Sequence, residues 1–431
     1  MKKLCVLLLL TATAGCGLWS RGPEHRPEGS GGVNHPAHRG QPHLLLISLD
    51  GFKPEHFERF DLPNLRRIAE RGTRARAMIP VFPSLTFPNH FSLVSGVHPE
   101  THGLVANSFW DPDRREAYAL SSPAVTDGTW YLAEPIWVTA ERQGMVAASF
   151  FWPGSEAAIR PTEAPPNAPG IRPTIWNTYD GKVPNETRVD TVLEWLRLPE
   201  ERRPHFITLY FSELDSAQHD GPIDAPEVEE AAKSLDRAIG RLLDGIEQLP
   251  IRDRLYLLIT SDHGMVETSV DQSVRLDEII DMHEVERGFS GPVANLHLKD
   301  PSRAPAIRDQ LNAALTRGRA YLRQETPEEF HYRRSPRAGD VVVVMDEAWT
   351  AIASTRTSTR EAERWGMHGW DPSLPSMHAF FMIAGPGIRA GAVVPEVRNI
   401  DVYPLMTELL GLDPAPGIAG RSGHIQRMVT E

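Results

Sequence analysis

Short, continuous apolar runs alternate with helical patterns along most of this 431-residue chain. The runs cover residues 44–49, 145–150, 206–211, 255–260 and 379–383. Strands that are apolar on both faces are typical of a largely parallel sheet covered by helices on both sides. Residues 227–248 carry apolar side chains at helical spacing. The pattern predicts one α/β domain over residues 43–431, with a largely parallel central sheet between helix layers and a small inserted subdomain near 284–365.

Charge and cysteine content exclude several classes of function. The chain has 45 Lys and Arg against 57 Asp and Glu, and its formal net charge of −12 disfavours binding of nucleic acid polymers. A small phosphorylated ligand is compatible with this charge because a metal ion can supply positive charge locally. The only cysteines, Cys5 and Cys16, lie near the N-terminus, so the rest of the chain has no disulfide framework and no thiolate metal site.

The N-terminus has the pattern of an export signal. Lys2 and Lys3 precede a short apolar run, about ten residues long, whereas a membrane-spanning helix needs roughly 20. We therefore expect residues 1–16 to be a signal peptide and the protein to be periplasmic or secreted. The segment 13–16 also resembles a bacterial lipobox, which leaves lipid anchoring through Cys16 open beside simple secretion. Residues 17–42, rich in Gly and Pro, are predicted to form a flexible linker.

Acidic residues and histidines cluster at the ends of the predicted strands. They are Asp50, Asp215, His219, Asp262, His263 and His378. Functional groups in an open α/β sheet gather at the carboxyl ends of the strands, so these residues are expected at one edge. Each residue alone is better explained as a helix cap, a turn residue or a structural histidine. Their joint pattern predicts a metal centre, and six oxygen and nitrogen ligands without thiolates suit two zinc ions, a common arrangement for phosphoryl transfer.

A candidate nucleophile lies between the first two of these runs. In the segment 82–90, Pro83 and Pro88 flank Thr86, which leads into a predicted helix. A hydroxyl at a helix N-terminus meets unpaired N–H groups and a positive dipole end, which favour an alkoxide or a phosphate oxygen. Without the metal ligands, Thr86 or Ser84 would be interpreted as a helix cap.

Taken together, these motifs resemble the nucleotide pyrophosphatase/phosphodiesterase family, the type I phosphodiesterases of the alkaline phosphatase superfamily, and suggest a bacterial member. The matching segments are 49–52, 82–90, 95–103, 213–219, 261–265 and 377–378. The resemblance extends over about residues 43–417 and implies an alkaline-phosphatase-like fold.

The resemblance also implies roles for individual residues. One zinc would be surrounded by Asp50, Thr86, Asp262 and His263, and the second by Asp215, His219 and His378. Thr86 would attack the phosphorus, and the resulting phosphothreonine would be hydrolysed by a water activated at the second zinc, releasing a nucleoside 5′-monophosphate. Asn107 matches the asparagine whose side-chain N–H binds a phosphoryl oxygen. Without the resemblance, Asn107 is a turn residue.

Aromatic residues at three positions match family positions that contact a nucleobase. These are Phe87, Tyr179 and Tyr210, although Phe87 and Tyr210 would otherwise be interpreted as packing residues. The expected substrates are nucleoside triphosphates, dinucleotides and similar diesters. Structural or supporting roles are predicted for His90, His98 and His102.

Other functions stay open at this stage. A phosphomonoesterase of the same superfamily or a phosphodiesterase for lipid or choline esters would use similar ligands. A sulfatase is disfavoured because Thr86 lacks the surrounding motif of that class. A non-catalytic, metal-dependent binding protein is disfavoured because the nucleophile and all the ligands are retained.

Overall fold

The apolar runs form the centre of an eight-stranded sheet in a computed structural model, which describes residues 32–353, 363–424 and 428. The predicted signal peptide and Cys16 lie outside the described residues. The strands are β1 His43–Leu49, β2 Gly72–Ile79, β3 Ser108–Asp111, β4 Glu116–Ala119, β5 Ala147–Phe150, β6 Ile175–Trp176, β7 Phe206–Phe211, β8 Leu255–Thr260, β9 Val266–Ser269, β10 Ser273–Arg275, β11 Val285–Phe289, β12 Val293–Leu298, β13 Gly318–Leu322, β14 Val341–Met345, β15 Thr350–Ile352, β16 Arg364–Met367, β17 Phe381–Ala384 and β18 Ala392–Arg398.

The helices pack on the two faces of the sheet and in the connections. They are α1 Pro54–Arg59, α2 Pro63–Arg71, α3 Thr86–Ser95, α4 Pro99–His102, α5 Ile136–Arg142, α6 Asn185–Leu196, α7 Glu213–Asp220, α8 Pro226–Glu247, α9 Ala304–Ala314 and α10 Val402–Leu410. Helix α8 matches the segment predicted from its apolar spacing and begins at Pro226, whose fixed backbone angle favours a first helical position.

The central sheet is largely parallel. Its strand order is β18-β2-β17-β8-β1-β7-β5-β6, and β17 runs antiparallel to both of its neighbours. Alternate residues of β1 contribute to two hydrophobic clusters, one containing Leu44 and Leu46 and the other Leu45 and Ile47. Since successive side chains of a strand point to opposite faces, each face buries its own core under helices, as the continuous apolar run predicts.

A second, four-stranded antiparallel sheet lies within the segment predicted as an inserted subdomain. Its order is β11-β12-β14-β13, and α9 packs against it. This sheet has a hydrophobic cluster of its own, which includes Leu296, Leu311 and Val343.

Residues 33–42, the described part of the predicted linker, are hydrogen-bonded to the domain in the structure. The Asn34 side chain donates to the carbonyl oxygens of Glu200 and Arg203 and accepts from the N–H of Val146. The His38 ring bonds the carbonyl of Gln143 at 2.7 Å. A segment with few apolar residues can therefore be held by hydrogen bonds to main-chain groups of the domain, which composition does not reveal. Within the described ranges, no helix combines the length and apolar content needed to cross a membrane.

Candidate metal centre

Three parallel strands deliver acidic side chains to the carboxyl edge of the central sheet. Asp50 directly follows β1, Asp262 follows β8 after one residue, and Asp215 lies in the first turn of α7, just after β7. Because β1 pairs in parallel with both β7 and β8, the ends of these strands lie side by side. The N–H of Gly51 donates to Asp262 Oδ1 at 3.2 Å and links two of the strand ends directly.

Two groups of potential ligands meet at this edge. One consists of Asp50, Asp262 and His263, and the other of Asp215, His263 and His368, with the ligand atoms of each group within 4.8 Å of one another. His263 Nε2 lies 2.9 Å from Asp262 Oδ2 and 3.4 Å from Asp50 Oδ1. The shared His263 makes the two groups one continuous cluster.

The predicted ligand His219 lies at the margin of this cluster. Its Nε2 is 3.4 Å from Asp215 Oδ1, one helical turn earlier on α7. Its ring centroid is 5.1 Å from that of His368. The spacing Asp-x-x-x-His on a helix thus places both side chains on one face, as the i,i+4 relation requires.

His368 was not selected from the sequence, and strand pairing brings it to the cluster. Strand β16 pairs antiparallel with β9, with Met367 opposite Val266. The next residue, His368, is thereby stacked on His263 with ring centroids 3.5 Å apart, and its Nε2 lies 3.7 Å from Asp215 Oδ1. The only sequence signal is that His368 precedes a glycine, as His263 does, which is too weak to identify it.

The structure corrects the prediction for His378. This residue is in neither ligand group of the described residues. Burial lowers the pKa of His378, and the charges of Glu396 and Glu55 offset this effect only in part. Its segment does approach the site, because the N–H of Gly264 donates to the carbonyl of Met377. A Cβ at Gly264 would lie 2.0 Å from the carbonyl oxygen of Ser376, so this approach is made by main chain. Among the described residues, His368 and not His378 thus belongs to the cluster.

The three histidines of the cluster are oriented by main-chain acceptors. The Nδ1 atoms of His219, His263 and His368 donate to the carbonyl oxygens of residues 366, 264 and 84, at 2.8 to 2.9 Å. A proton on Nδ1 leaves Nε2 as the lone-pair nitrogen, and the Nε2 atoms are the ones that face the carboxylates. Burial and the nearby His263 lower the pKa of His368 to about 3, so its Nε2 is unprotonated at neutral pH.

One oxygen atom of each carboxylate in the cluster faces the imidazoles. Asp50 Oδ1, Asp215 Oδ1 and Asp262 Oδ2 are buried and accept no hydrogen bond from any residue that the structure describes. Burial and the neighbouring carboxylates of Asp262 and Asp215 raise the pKa of Asp50 well above its usual value. Burial opposes ionisation of Asp262 as well, but the imidazoles of His263 and His90 hold its pKa well below the usual range. Buried carboxylate oxygens opposite imidazole lone pairs form a site that fits cations, and mixed oxygen and nitrogen donors fit zinc.

Thr86 is the first residue of α3 and borders this cluster. Its Oγ1 lies 3.3 Å from His263 Nε2. The preceding turn is fixed by Asn89, whose side chain accepts from the N–H of Val81 and donates to the carbonyl oxygens of Pro83 and Leu85. The threonine hydroxyl is therefore held at a helix N-terminus beside the carboxylates, as the sequence predicts.

Asn107 is oriented toward the same helix end. Its side-chain oxygen accepts from the N–H of Phe87 at 2.8 Å. This bond fixes the amide oxygen on the residue after Thr86 and leaves the NH₂ group to act as a donor.

His90 lies directly beneath the nucleophile segment and connects it to the cluster. Its Nδ1 donates to the carbonyl of Thr86 at 2.9 Å and lies 3.3 Å from Asp262 Oδ2. Its Nε2 faces the hydroxyl of Ser48 on β1. His102 is buried against Ser92, and His98 stacks on His331 with centroids 3.8 Å apart. These placements agree with the supporting roles predicted for the three histidines.

The three aromatic residues predicted for a nucleobase have different surroundings. Phe87 is half-buried and lies edge-on to Tyr118, whereas Tyr179 is 49% exposed. Tyr210 is 8% exposed and packs beside His90, and its hydroxyl donates to Asp50 Oδ2 at 2.5 Å. Tyr210 is thus largely buried, and its hydroxyl supports a carboxylate of the metal cluster.

A family model described as "Type I phosphodiesterase / nucleotide pyrophosphatase" matches residues 44–371. Ectonucleotide pyrophosphatase/phosphodiesterase family member 1 of Mus musculus is 37% identical over 407 residues, which cover 90% of this chain and 43% of that protein. Venom phosphodiesterase CdcPDE of Crotalus durissus collilineatus is 34% identical over 409 residues, 92% of this chain and 48% of its own. The chain thus spans less than half the length of these two relatives.

The fold is also similar to solved structures. Murine ectonucleotide pyrophosphatase/phosphodiesterase 5, solved as an inactive threonine-to-alanine variant in complex with AMP, superposes with a TM-score of 0.83 at 28% identity. The match covers 90% of this chain and 100% of that one. This similarity confirms the predicted alkaline-phosphatase-like fold class, with a large, mostly parallel central sheet and helices.

Proposed function

Because this chain belongs to the type I phosphodiesterase/nucleotide pyrophosphatase family, we propose that it hydrolyses phosphodiester and pyrophosphate bonds of nucleotides and releases a nucleoside 5′-monophosphate. The observation that carries the proposal is the Thr86 hydroxyl at a helix N-terminus, 3.3 Å from an imidazole of the carboxylate cluster. The names of the relatives, and the AMP in one of their structures, support nucleotides as the substrate class.

Two zinc ions are the cofactors we propose for the cluster. Asp50, Asp262 and His263, with the Thr86 oxygen, would hold one ion. Asp215, His219 and His368 would hold the other, with His368 in place of His378. When bound, the ions would supply the positive charge that favours a deprotonated hydroxyl and a departing oxygen.

Residues of the chain itself would carry out the other parts of the reaction. The Thr86 Oγ1 attacks the phosphorus, the bond to the leaving group breaks, and a phosphothreonine is formed that water then hydrolyses. The Asn107 NH₂ group donates to a non-bridging oxygen, where negative charge develops. His90 holds the Thr86 main chain through its carbonyl, and Tyr210 holds Asp50.

The nucleoside part would be bound by Phe87 and Tyr179. Phe87 follows the nucleophile directly, and Tyr179 presents its ring to solvent at the same end of the sheet, 6.0 Å from Tyr210 between ring centroids. Stacking of a base on an aromatic ring contributes roughly 1–3 kcal/mol, so these residues would favour nucleotides over simple diesters.

Hydrolysis of p-nitrophenyl thymidine 5′-monophosphate, compared with p-nitrophenyl phosphate and p-nitrophenylphosphocholine, tests this function. The nucleotide diester should have the highest kcat/KM, and a chelator should abolish the activity until zinc is restored. A preference for the monoester would identify a phosphomonoesterase, and a preference for the choline ester a phosphodiesterase of different specificity. Either result would contradict the proposal.

We also propose export through residues 1–16, with the bacterial lipobox-like segment ending at Cys16 as a site for a lipid anchor. The support is the sequence pattern alone. Mass spectrometry of the mature N-terminus tests cleavage, and loss of membrane association in Cys16→Ser tests anchoring; an uncleaved N-terminus would contradict both.

A further inference from the structure

Arg188, near the start of α6, is fully buried, and its guanidinium binds three main-chain carbonyls. Nε donates to Val183 at 3.0 Å, Nη1 to Tyr210 at 2.9 Å and Nη2 to Gly181 at 3.3 Å. Tyr210 lies at the end of β7, and its side-chain hydroxyl donates to Asp50. Residues 181–183 belong to the loop that follows Tyr179. One side chain thus connects the metal cluster with the segment proposed to bind a base.

The charge of Arg188 is compensated from α7, the helix that carries two of the three residues in the second ligand set. Its Nη2 lies 3.3 Å from Oε1 of Glu213, the first residue of α7, which also bears Asp215 and His219. A buried charge is costly unless it is paired and hydrogen-bonded, and the planar guanidinium fork is the side chain that can satisfy several acceptors in fixed directions. A lysine has the charge but lacks this fork.

The flat face of Arg188 is connected to Tyr179 through Phe151. The guanidinium carbon lies 5.4 Å from the Phe151 ring, a cation–π arrangement, and Phe151 meets Tyr179 edge to face at 5.1 Å. Phe151 has a φ of 66°, a left-handed conformation that is unfavourable for a bulky residue and persists only where the surroundings enforce it. The ring is held in this position between the arginine and the tyrosine.

We propose that Arg188 is a positioning residue that sets the orientation of Tyr179 relative to the metal cluster and thereby determines affinity for the nucleoside part of the substrate. This inference rests on the function proposed above. Arg188 acts through Phe151 and through the main chain of residues 181–183, and it touches neither the reacting atoms nor the base.

Kinetics of zinc-loaded, full-length Arg188→Lys test the inference with two diesters. One is p-nitrophenyl thymidine 5′-monophosphate, and the other is bis(p-nitrophenyl) phosphate, which has no nucleoside. We expect KM for the nucleotide ester to rise roughly tenfold, as loss of part of a stacking interaction predicts, with kcat within about threefold. The change in either constant for bis(p-nitrophenyl) phosphate should be smaller than the change in KM for the nucleotide ester.

Arg337→Lys is the matched control, because Arg337 is another buried arginine that pairs with Asp111 and donates to the carbonyls of Gly103 and Trp130. Its loss should change the two substrates equally. Equal changes for both substrates in Arg188→Lys, or none, would overturn the inference.

Phe151→Leu provides a second test that leaves the buried charge in place. It should show the same selective rise in KM even if the arginine variants fail to fold, and an unchanged KM would contradict the inference. Wild-type protein that neither binds AMP nor prefers the nucleotide ester would instead refute the proposed function, so the two failures are distinguishable.

Discussion

Both ends of the central sheet bury a pair of stacked histidines, and the two pairs differ in what faces them. At the amino end, His43 begins β1 and His205 precedes β7, and their ring centroids lie 4.4 Å apart. Each Nδ1 donates to a main-chain carbonyl at 2.8 Å. At the carboxyl end, His263 and His368 stack at 3.5 Å with the same kind of Nδ1 bond. Stacking and carbonyl bonds are therefore not what distinguishes the candidate metal centre.

The difference lies in the charges around the rings. Burial lowers the pKa of His43 to about 3, and His205, Arg203 and Arg254 act in the same direction. Burial also disfavours protonation of His263, but the carboxylate of Asp262 outweighs it and raises the pKa. Neutral rings at the amino end are suited to packing, whereas imidazoles opposite carboxylates at the carboxyl end are suited to a cation.

Loss of the nucleophile should have the largest effect on activity. It should have no effect on the histidine pair at the amino end of the central sheet. Thr86→Ala should lower kcat by at least about 1,000-fold, because no other hydroxyl takes its place in the covalent step. Thr86→Ser, which keeps a hydroxyl, should retain part of the activity. Zinc content, measured by mass spectrometry, should stay close to that of the wild type in both variants. An active Thr86→Ala protein would exclude the covalent mechanism.

Alanine substitution of His368 and of His378, each in its own variant, tests which of the two histidines belongs to the cluster. His368→Ala should lose bound zinc and about 100-fold or more in kcat/KM, since ligand and near-ligand losses have effects of that size. His378→Ala, the matched control ten residues away, should keep its zinc and most of its activity. The reverse outcome would restore the sequence-based choice of His378.

The pH dependence of unfolding should reveal the neutral pair at the amino end. His43 has a folded-state pKa of about 3, below the usual histidine value of 6.5, so the unfolded chain binds a proton first as the pH falls. Its contribution to stability is fully present above pH 6.5 and is lost progressively toward pH 3, with a slope of up to ~1.4 kcal/mol per pH unit. His43→Asn removes the titration and leaves an amide donor for Pro204. Urea denaturation at pH 7, 6, 5 and 4 should therefore give a flatter profile for this variant, and parallel profiles would contradict the assignment.

A substitution in the docked N-terminal segment, residues 33–42, should have the smallest effect. Asn34→Ala removes the acceptor for the N–H of Val146 and two donors to the main chain. We expect a loss of about 1 kcal/mol in the free energy of unfolding, with zinc content and kcat/KM unchanged. Faster proteolysis near residue 34 would accompany undocking, and unaltered stability would show that the segment is held by other contacts.

Much of the fold was predictable because its signals are local. Strands β7 and β8 have the predicted bounds, and α8 differs by one residue at each end. Their apolar periodicity follows directly from burial on both faces of the sheet. The same reasoning predicted that Asp50, Asp215 and Asp262 meet at one edge, since parallel strands end side by side.

The sequence by itself determined which edge of the sheet carries the carboxylates, because strand direction and periodicity are written into consecutive residues. Only the tertiary structure decided which histidine completes the cluster, because the pairing of β9 with β16 joins segments about a hundred residues apart and brings His368 rather than His378 to Asp215. The tertiary structure also decided that the Tyr210 hydroxyl bonds to Asp50 and that the Asn34 side chain bonds to the domain. The direction in which a side chain points depends on partners that are distant in the chain, and no local pattern records them.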